Sequence, residues 1–522
     1  MATGKRTALS RRDFLKGAAA SAVAVAGAGA LAGCQAPAAA PNMPSKWDYE
    51  ADVVVVGYGG AGAVAAITAF DAKAKVLILE KAPEGKEGGN TRVSGNMWFS
   101  PRPVDAAITY YNAMSGPFAA PPEMVRVWAE EMGKVNDFVT ALGGQVGELN
   151  IFNPEYPELP GNECAKTFAN PTAMQSKLWK LFKENVDKRR IQVLYGTPAK
   201  ELVQNPTTKE ILGVIADQSG KTIAVKAKKA VILTCGGFEN NQQMIRDYLH
   251  WEAGYPKGTP YNTGDGIKMA LAVGADLWHM GNVAGPDFNL KVPDYDFAFG
   301  YSLSPNPKSW IVVGKDSKRF VDEKAGTRHG KVLLHGRWEP LPMPVPCHLI
   351  FDEKVRAGGP LYSTTETFCW YSVVEAYRWS KDNMTEINKG WIVKANTIEE
   401  LAALIKRDPA ALKATIDEYN KACASGVDPI YGTAKANLVA MDTPPFYAME
   451  VFPTFTNTQG GPRRNEKAQV LDTSGKPIPR LYSAGELGSI YGNLYNGGGN
   501  VGECMAFGQI AAKNAVAEKP WS

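Results

Sequence analysis

Between Asp48 and Phe70 the chain reads DYEADVVVVGYGGAGAVAAITAF, and this stretch limits what the rest can build around it. Four consecutive valines, Val53 to Val56, form the short apolar run of a strand buried in a parallel sheet. Glycines 57, 59 and 62 follow in G-x-G-x-x-G spacing. Gly57 permits a tight turn, and Gly59 lets the backbone approach a pyrophosphate. Gly62 lets the next helix pack on the strand with its N-terminal N–H groups aimed at the anion. A second strand, AKVLILEKA from Ala74 to Ala82, carries Glu80 about 20 residues on, where a carboxylate accepts hydrogen bonds from a ribose diol. Strand, turn, helix, strand and acid together predict a dinucleotide site. The alternative is a glycine-rich turn of an unrelated sheet.

At 522 residues the chain is too long for one ordinary core, so two domains, or one large domain with an insertion, are expected. The hydrophobic content of 45% and charged content of 21% describe a soluble globular protein. Its formal charge of +4 arises within the first 33 residues, where Lys5, Arg6, Arg11, Arg12 and Lys16 stand against Asp13. The remainder sums to zero, so no nucleic-acid partner is expected.

The first segment reads as an address. SRRDFLK (Ser10 to Lys16), an alanine-rich apolar stretch and LAGC (Leu31 to Cys34) resemble a twin-arginine export signal followed by a lipoprotein cleavage box. A short membrane anchor is the alternative, although the apolar stretch falls short of the roughly 20 residues a span needs. The mature protein is therefore expected on the outer side of the cytoplasmic membrane or in the periplasm, touching the membrane through lipidated Cys34 only. Beyond Cys34 the cysteines are Cys164, Cys235, Cys347, Cys369, Cys423 and Cys504, with no C-x-x-C pair and no C-x-x-C-H for attached haem. No metal site is expected.

Residues 35–47 are a Pro/Ala linker. GKEGGNTRVSGNMWF (Gly85 to Phe99) has the glycine and small polar residues of a loop lying against a cofactor, and helices are predicted over Val125 to Leu142 and Ser176 to Arg189. From Ile191 a strand meander leads to a buried strand, Ala230 to Thr234, closing on Gly236-Gly237. Thr263-Gly264-Asp265-Gly266 then opens an apolar helix. Between about 285 and 440 aromatics and prolines become dense, which predicts a cap inserted in a cofactor domain. The expected division is signal 1–34, linker 35–47, cofactor domain 48–285 and 441–522, and cap 286–440.

The C-terminal segments TQGGPRRNEKAQVLD, LYSAGE and YGNLYNGGGNVGECMAFGQ complete a pattern that includes GGNT, TCGG, TGDG and KRFVDE. In that order these motifs resemble the FAD-dependent fumarate reductase and 3-ketosteroid dehydrogenase superfamily, which includes urocanate reductases and flavocytochrome c flavoproteins. The resemblance spans about residues 50 to 520. It implies an α/β fold with a Rossmann-like FAD-binding domain of glutathione-reductase type, an inserted α+β capping domain, noncovalent FAD, and hydride transfer at flavin N5. The implied cofactor residues are Gly57, Gly59, Gly60, Ala61, Gly62, Glu80 and Lys81 near the ADP half. Gly89, Asn90, Thr91, Ser94, Gly95, Ala199, Thr234, Gly236, Gly237 and Asp265 follow, and then Gly485, Glu486, Asn500 and Val501. Val501 stands at the start of the last helix, whose positive end suits charge on a reduced flavin.

In fumarate reductases an arginine shortly after KRFVNE delivers a proton, and Arg328 in KRFVDEKAGTRHGK is the matching position, one residue further on. Guanidinium stays charged, so that role needs a relay, for which His329 or Glu323 is placed. The same family clamps a dicarboxylate with a histidine in H-T-M-G-G and an arginine in G-x-N-R-L-G-G-N. Here Asn457-Thr458-Gln459-Gly460-Gly461 and Tyr491-Gly492-Asn493-Leu494-Tyr495-Asn496-Gly497 stand instead. Loss of both charged partners argues against fumarate, although Arg463 and Arg464 follow the turn and offer one replacement. Tyr491 and Tyr495 resemble the phenols of the ketosteroid enzymes and suit a neutral or aromatic substrate. The cap aromatics Trp310, Phe368, Trp370, Tyr371, Tyr377 and Trp379 point the same way unless they form core.

The expectation is an exported reductase of a small molecule with a conjugated C=C bond, enone or acrylate type, protonated by Arg328 or a tyrosine. Electrons are expected from an external membrane cytochrome or quinol carrier. A ketosteroid-type dehydrogenase running in reverse is the near alternative, and a transporter-associated binding lipoprotein is the alternative of another class.

Overall fold

The computed structural model describes residues 43–171, 177–285, 287–291, 293, 298–299, 303–325, 327–342, 344–362 and 377–521. The expected signal with Cys34, and Cys369, Phe368, Trp370 and Tyr371, lie outside them.

Strand β1 (Tyr49–Val56) leads through the glycine turn into helix α1 (Gly60–Asp71), and strand β2 (Val76–Leu79) follows. β1 is central because its valines meet no water: Val53, Val54 and Val55 are 0% exposed and Val56 is 3% exposed. Burying each such side chain contributes roughly 1.5–3 kcal/mol, and only a strand covered on both faces gains that four times in succession. β1 pairs in parallel with β2 on one side, Val53 opposite Val76. On the other side it pairs in parallel with the long strand β3 (Lys221–Leu233), Val53 opposite Ala230. Residues 192–194 add a parallel strand beyond β2, and strand β4 (Pro477–Ser483) pairs in parallel with β3. The predicted meander is present: 199–204, 211–218 and the first half of β3 run antiparallel in the same eight-stranded sheet.

The last long helix, α2 (Gly499–Ala517), packs along α1. The approach is close, since a Cβ added at Gly508 would lie 3.0 Å from Ala61 O. The single helix expected over Val125 to Leu142 is two, Pro122–Met132 and Val135–Ala141. Apolar spacing continues across the break, but Gly133 ends the first helix with its N–H on Ala129 O at 3.2 Å.

A second sheet of six strands is centred on Phe446–Phe455, which pairs with Tyr255–Pro256, Asp287–Asn289, Cys347–Asp352 and Ile392–Ala395. Trp310–Val313 completes it beside Cys347–Asp352. Trp310 and Trp379 are buried in its apolar core and Tyr377 packs against it, with the Tyr377 hydroxyl donating to Glu386 at 2.5 Å. These three aromatics are packing residues. The sheet draws strands from 255–256 and 446–455, outside the stretch 286–440 that composition alone singles out.

Three distant segments meet at one buried ion pair. Arg464 is 1% exposed and its guanidinium pairs with Glu503 on α2, both side chains being fully enclosed. Arg464 also donates to the carbonyls of Gly485 at 3.3 Å and Leu487 at 3.1 Å. Glu503 accepts from Ser489 Oγ at 2.6 Å and from the Ile490 N–H at 2.8 Å. Removing one partner leaves a buried charge uncompensated, so Arg464→Met or Glu503→Gln alone is expected to cost about 3–5 kcal/mol, and Arg464→Met/Glu503→Met together much less. Thermal or denaturant unfolding measures this. A loss below about 1 kcal/mol for either single variant, as for an exposed pair, would contradict it.

Candidate functional site

At the carboxyl end of β1 a cleft open to solvent at its mouth is built around the glycine turn. Gly57 has φ +101°, and a Cβ there would meet Thr234 O at 2.5 Å. At Gly62 an added Cβ would collide with Gly57 O, and at Gly60 it would press on Thr91 Oγ1 at 2.5 Å. Gly59 differs, because its nearest neighbour, Gly88 O, would be 3.7 Å away. Space at Gly59 therefore opens to the cleft. Gly59 caps α1 without a side-chain hydrogen bond, and the first turn of α1 holds no acid, so its N–H groups and positive end remain available for an anion.

Glu80 is 7% exposed, and its two oxygens accept from the Tyr58 and Ala82 N–H groups, each at 2.6 Å. Burial raises its pKa and these two bonds pull it back. The carboxylate is thereby held in one orientation with lone pairs remaining for a ribose diol. Beside it Lys81 donates to Asp265 at 2.8 Å, to Tyr261 O at 3.2 Å and to Thr263 Oγ1. Asp265 opens the helix Asp265–Ala272 and is engaged by this lysine.

Gly57, Gly59, Gly60, Ala61, Glu80, Lys81, Gly89, Asn90, Thr91, Ala199, Thr234, Gly236, Asp265 and Glu486 all line the cleft. Gly62 lies behind the turn, against Gly57. Ser94 donates to Thr91 O at 3.0 Å at the end of the short helix Gly89–Val93, and Gly95 is buried beside it. Gly485 turns with φ +76°. Asn500, near the start of α2, donates to Asn457 Oδ1 at 2.9 Å and accepts from Gln459 at 3.1 Å, tying the helix to the 457–461 turn, and Val501 follows it half-buried. Gly237 lies against a carboxyl pair, Glu486 in the cleft wall and Glu239 behind it. Glu239 Oε1 accepts from Asn90 at 2.8 Å and Asn262 at 3.1 Å, and Glu486 Oε2 accepts from Asn90 at 3.1 Å.

The segments expected to meet substrate converge separately. Tyr495, 7% exposed, has its ring 4.2 Å from that of His329, centroid to centroid. His329 Nδ1 bonds Glu155 Oε1 at 2.6 Å, and Glu155 Oε2 accepts from the Gly497 N–H at 2.8 Å. Tyr491 is fully enclosed against Trp128, Tyr111 and Tyr495, and burial holds its phenol neutral. Its ring packs behind Gly499, where a Cβ would lie 2.7 Å from the hydroxyl.

The arginines are engaged elsewhere. Arg328 pairs with Glu158, lies over the Tyr156 and Trp338 rings, and is kept charged by that carboxylate. Arg463 pairs with Asp276 at 2.7 Å, and Arg464 is the core partner of Glu503. Glu323 joins Arg319 at 3.1 Å and neighbours Lys324, with burial lifting its pKa to about 7 against the pull of both cations. It takes no part beside Arg328.

Sequence reasoning missed Glu155, Glu239, His279, Asn282 and Lys331. Lys331, 5% exposed, donates to Asn282 Oδ1, Asn493 O and Asn493 Oδ1, each at 2.9 Å. Asn282 in turn donates to Tyr491 O at 2.9 Å and Asn493 O at 3.0 Å. Burial draws Lys331 down to about 8, so it still carries charge at neutral pH. His279 Nδ1 donates to Ser489 O at 2.8 Å, and burial, its largest cause, lowers it to about 4, leaving the ring neutral. Lys331 and Glu239 lie in or next to motifs already recognised, but nothing in their spacing announces which partners they find.

Residues 52–501 match the family described as FAD binding domain. Digoxin reductase of Eggerthella lenta is 27% identical over 587 residues, spanning 99% of each chain. Urocanate reductase of the same organism is 28% identical over 506 residues, spanning 92% of this chain and 77% of that protein. Among solved structures, 3-ketosteroid Δ1-dehydrogenase from Sterolibacterium denitrificans shares the fold with a TM-score of 0.69 at 23% identity, over 90% of this chain and 99% of that one.

The cleft fits FAD: an uncapped helix end for the pyrophosphate, an oriented carboxylate for a ribose, and open backbone at Gly59 between them. Two alanine substitutions test this. Gly59→Ala has room in the protein itself, so the fold is expected to survive while FAD affinity drops at least about tenfold, or 1.4 kcal/mol. Gly62→Ala collides with backbone and is expected to destabilise the protein even without flavin. Circular dichroism melts and titration of stripped protein with FAD separate the two, and unchanged FAD affinity in Gly59→Ala would exclude this pyrophosphate site. The chain belongs to the FAD binding domain family and is an FAD-dependent oxidoreductase.

Proposed function

We propose that this oxidoreductase reduces a carbon–carbon double bond conjugated to a carbonyl or carboxyl group, of enone or acrylate type rather than fumarate. Bound FAD, once reduced, supplies a hydride from N5. The observation that carries the reading is the Tyr495–His329–Glu155 array, set where dicarboxylate enzymes are expected to carry a charged clamp. Glu155 fixes the imidazole, and the imidazole lies against the phenol of Tyr495. Such an arrangement suits delivery of a proton to the α carbon while hydride enters at the β carbon. Arg328, committed to Glu158, is poorly placed for the same task.

Two relatives support the direction, one a digoxin reductase and the other a urocanate reductase. The likeness to a ketosteroid dehydrogenase favours a second reading, in which the same phenol accepts a proton as hydride leaves the substrate. A flavin fold removes the basis for the transporter-type alternative. Electrons would come from an external membrane cytochrome or quinol carrier, and export with lipidation at Cys34 would place the enzyme at the cell envelope. Incorporation of labelled palmitate at Cys34 tests the anchor, and its absence would remove it.

The reaction is tested by reducing the flavin anaerobically and offering enones, cinnamates and urocanate as oxidants. Rapid reoxidation by at least one with saturation of its double bond is expected. Desaturation of a ketosteroid by oxidised enzyme, with no reoxidation by any of these, would favour the second reading. Tyr495→Phe is expected to slow turnover by about 10²–10⁴-fold, the scale of general acid catalysis, and Arg328→Ala by less than about tenfold. The reverse order would return the proton to Arg328.

A further inference from the structure

Glu239 is buried and Glu486 half-buried, yet each keeps one buried oxygen without a donor among the described residues, Glu239 Oε2 and Glu486 Oε1. These two atoms converge over Gly237: a Cβ there would lie 2.6 Å from Glu239 Oε2 and closer still to Glu486 Oε1. The other two oxygens are satisfied by Asn90 and Asn262. Two carboxylates facing one another repel, whereas one proton between them converts repulsion into a short charge-assisted hydrogen bond. Burial and the neighbouring carboxyl push Glu486 well upward.

Asn90, Asn262 and the Gly237 and Glu239 backbone N–H groups pull the pair downward, against the larger effect of burial. Asn90 comes from the helix Gly89–Val93, Asn262 from its loop and Thr458 Oγ1 from the 457–461 turn, where it already accepts from the Phe238 N–H at 3.1 Å. From α2 comes the Cys504 thiol, pushed by burial up to about 12. Arg464 acts on that thiol but is held by Glu503, and Lys81 is held by Asp265. Glu486 lines the FAD cleft, while Glu239 stands behind it.

We propose that Glu239 and Glu486 hold one proton between them, with the negative charge on Glu239, so that Glu486 presents the cofactor with a neutral carboxyl group. Glu239 is then a positioning residue: it takes the charge one layer back from the flavin wall. Deprotonation of the pair puts a second anion at the cleft, next to a cofactor that already carries a pyrophosphate.

The test is FAD release from the holoenzyme, followed by flavin fluorescence from about pH 6 to about pH 10, well above the ordinary carboxylate range. The wild type is expected to release FAD slowly until the shared proton leaves and then at least tenfold faster. Glu486→Gln, a neutral isostere, is expected to lack the alkaline rise. Glu239→Gln is expected to lose the rise and Glu239→Asp to keep it, which a purely structural role for Glu239 would not produce. Should Glu486→Gln fail to fold, the two Glu239 variants decide alone. An alkaline rise retained in Glu486→Gln, an identical rise in wild type and Glu239→Gln, or no rise in wild type would each overturn the proposal.

Discussion

The Arg464–Glu503 pair is the constraint on which both ends of the site depend. Desolvating two charges is expensive, and the attraction between them offsets that only if their remaining hydrogen-bonding groups are met. Here the backbone of 485–490 meets most of that requirement: the carbonyls of Gly485 and Leu487 take the terminal nitrogens of Arg464 and the Ile490 N–H goes to Glu503, while Arg464 Nε has no partner among the described residues. One turn is therefore pinned between α2 and the strand segment before it. Glu486, at the start of that turn, is carried to the FAD cleft, and Tyr491, just beyond its end, is carried into the aromatic core. The cofactor wall and the substrate end inherit their relative placement from a pair that touches neither ligand.

The parts of the site legible in the sequence are those whose physics is local. A run of valines, three spaced glycines and an acid at the end of the next strand fold into the strand, turn and strand end expected of them, because turn geometry and strand burial are decided within a few residues. β1, α1, β2 and the cleft around Gly59 follow from that. The helix over 125–142 misleads because apolar spacing persists across Gly133 although the backbone breaks there. Tyr491 and Tyr495 look equivalent on the page, four residues apart, yet one ring fills the core and the other meets His329.

Partners separated by more than a hundred residues stay hidden for the same reason. Glu155 is 174 residues from His329, and Glu239 is 149 from Asn90. No periodicity marks them, and each acquires its role only once the chain has folded. Arg328 shows the converse: a motif match singles it out for a role, and Glu158, 170 residues away, decides what its guanidinium does.

The charge pattern that results is consistent with the substrate end proposed above. Arg328, Arg463 and Arg464 are each taken by a carboxylate, from Glu158, Asp276 and Glu503. Lys331 retains its charge, but its three donors are engaged by Asn282 and Asn493. No bidentate clamp for a dicarboxylate is formed among the described residues, and a phenol backed by imidazole and carboxylate stands in that region. The most direct measurement compares two oxidants with the same double bond and different charge, fumarate and dimethyl fumarate, in stopped-flow reoxidation of the reduced flavin. The account predicts that the neutral diester reoxidises the enzyme at least tenfold faster than the dianion. Faster reoxidation by fumarate would contradict it and would place a carboxylate-binding cation in the site after all.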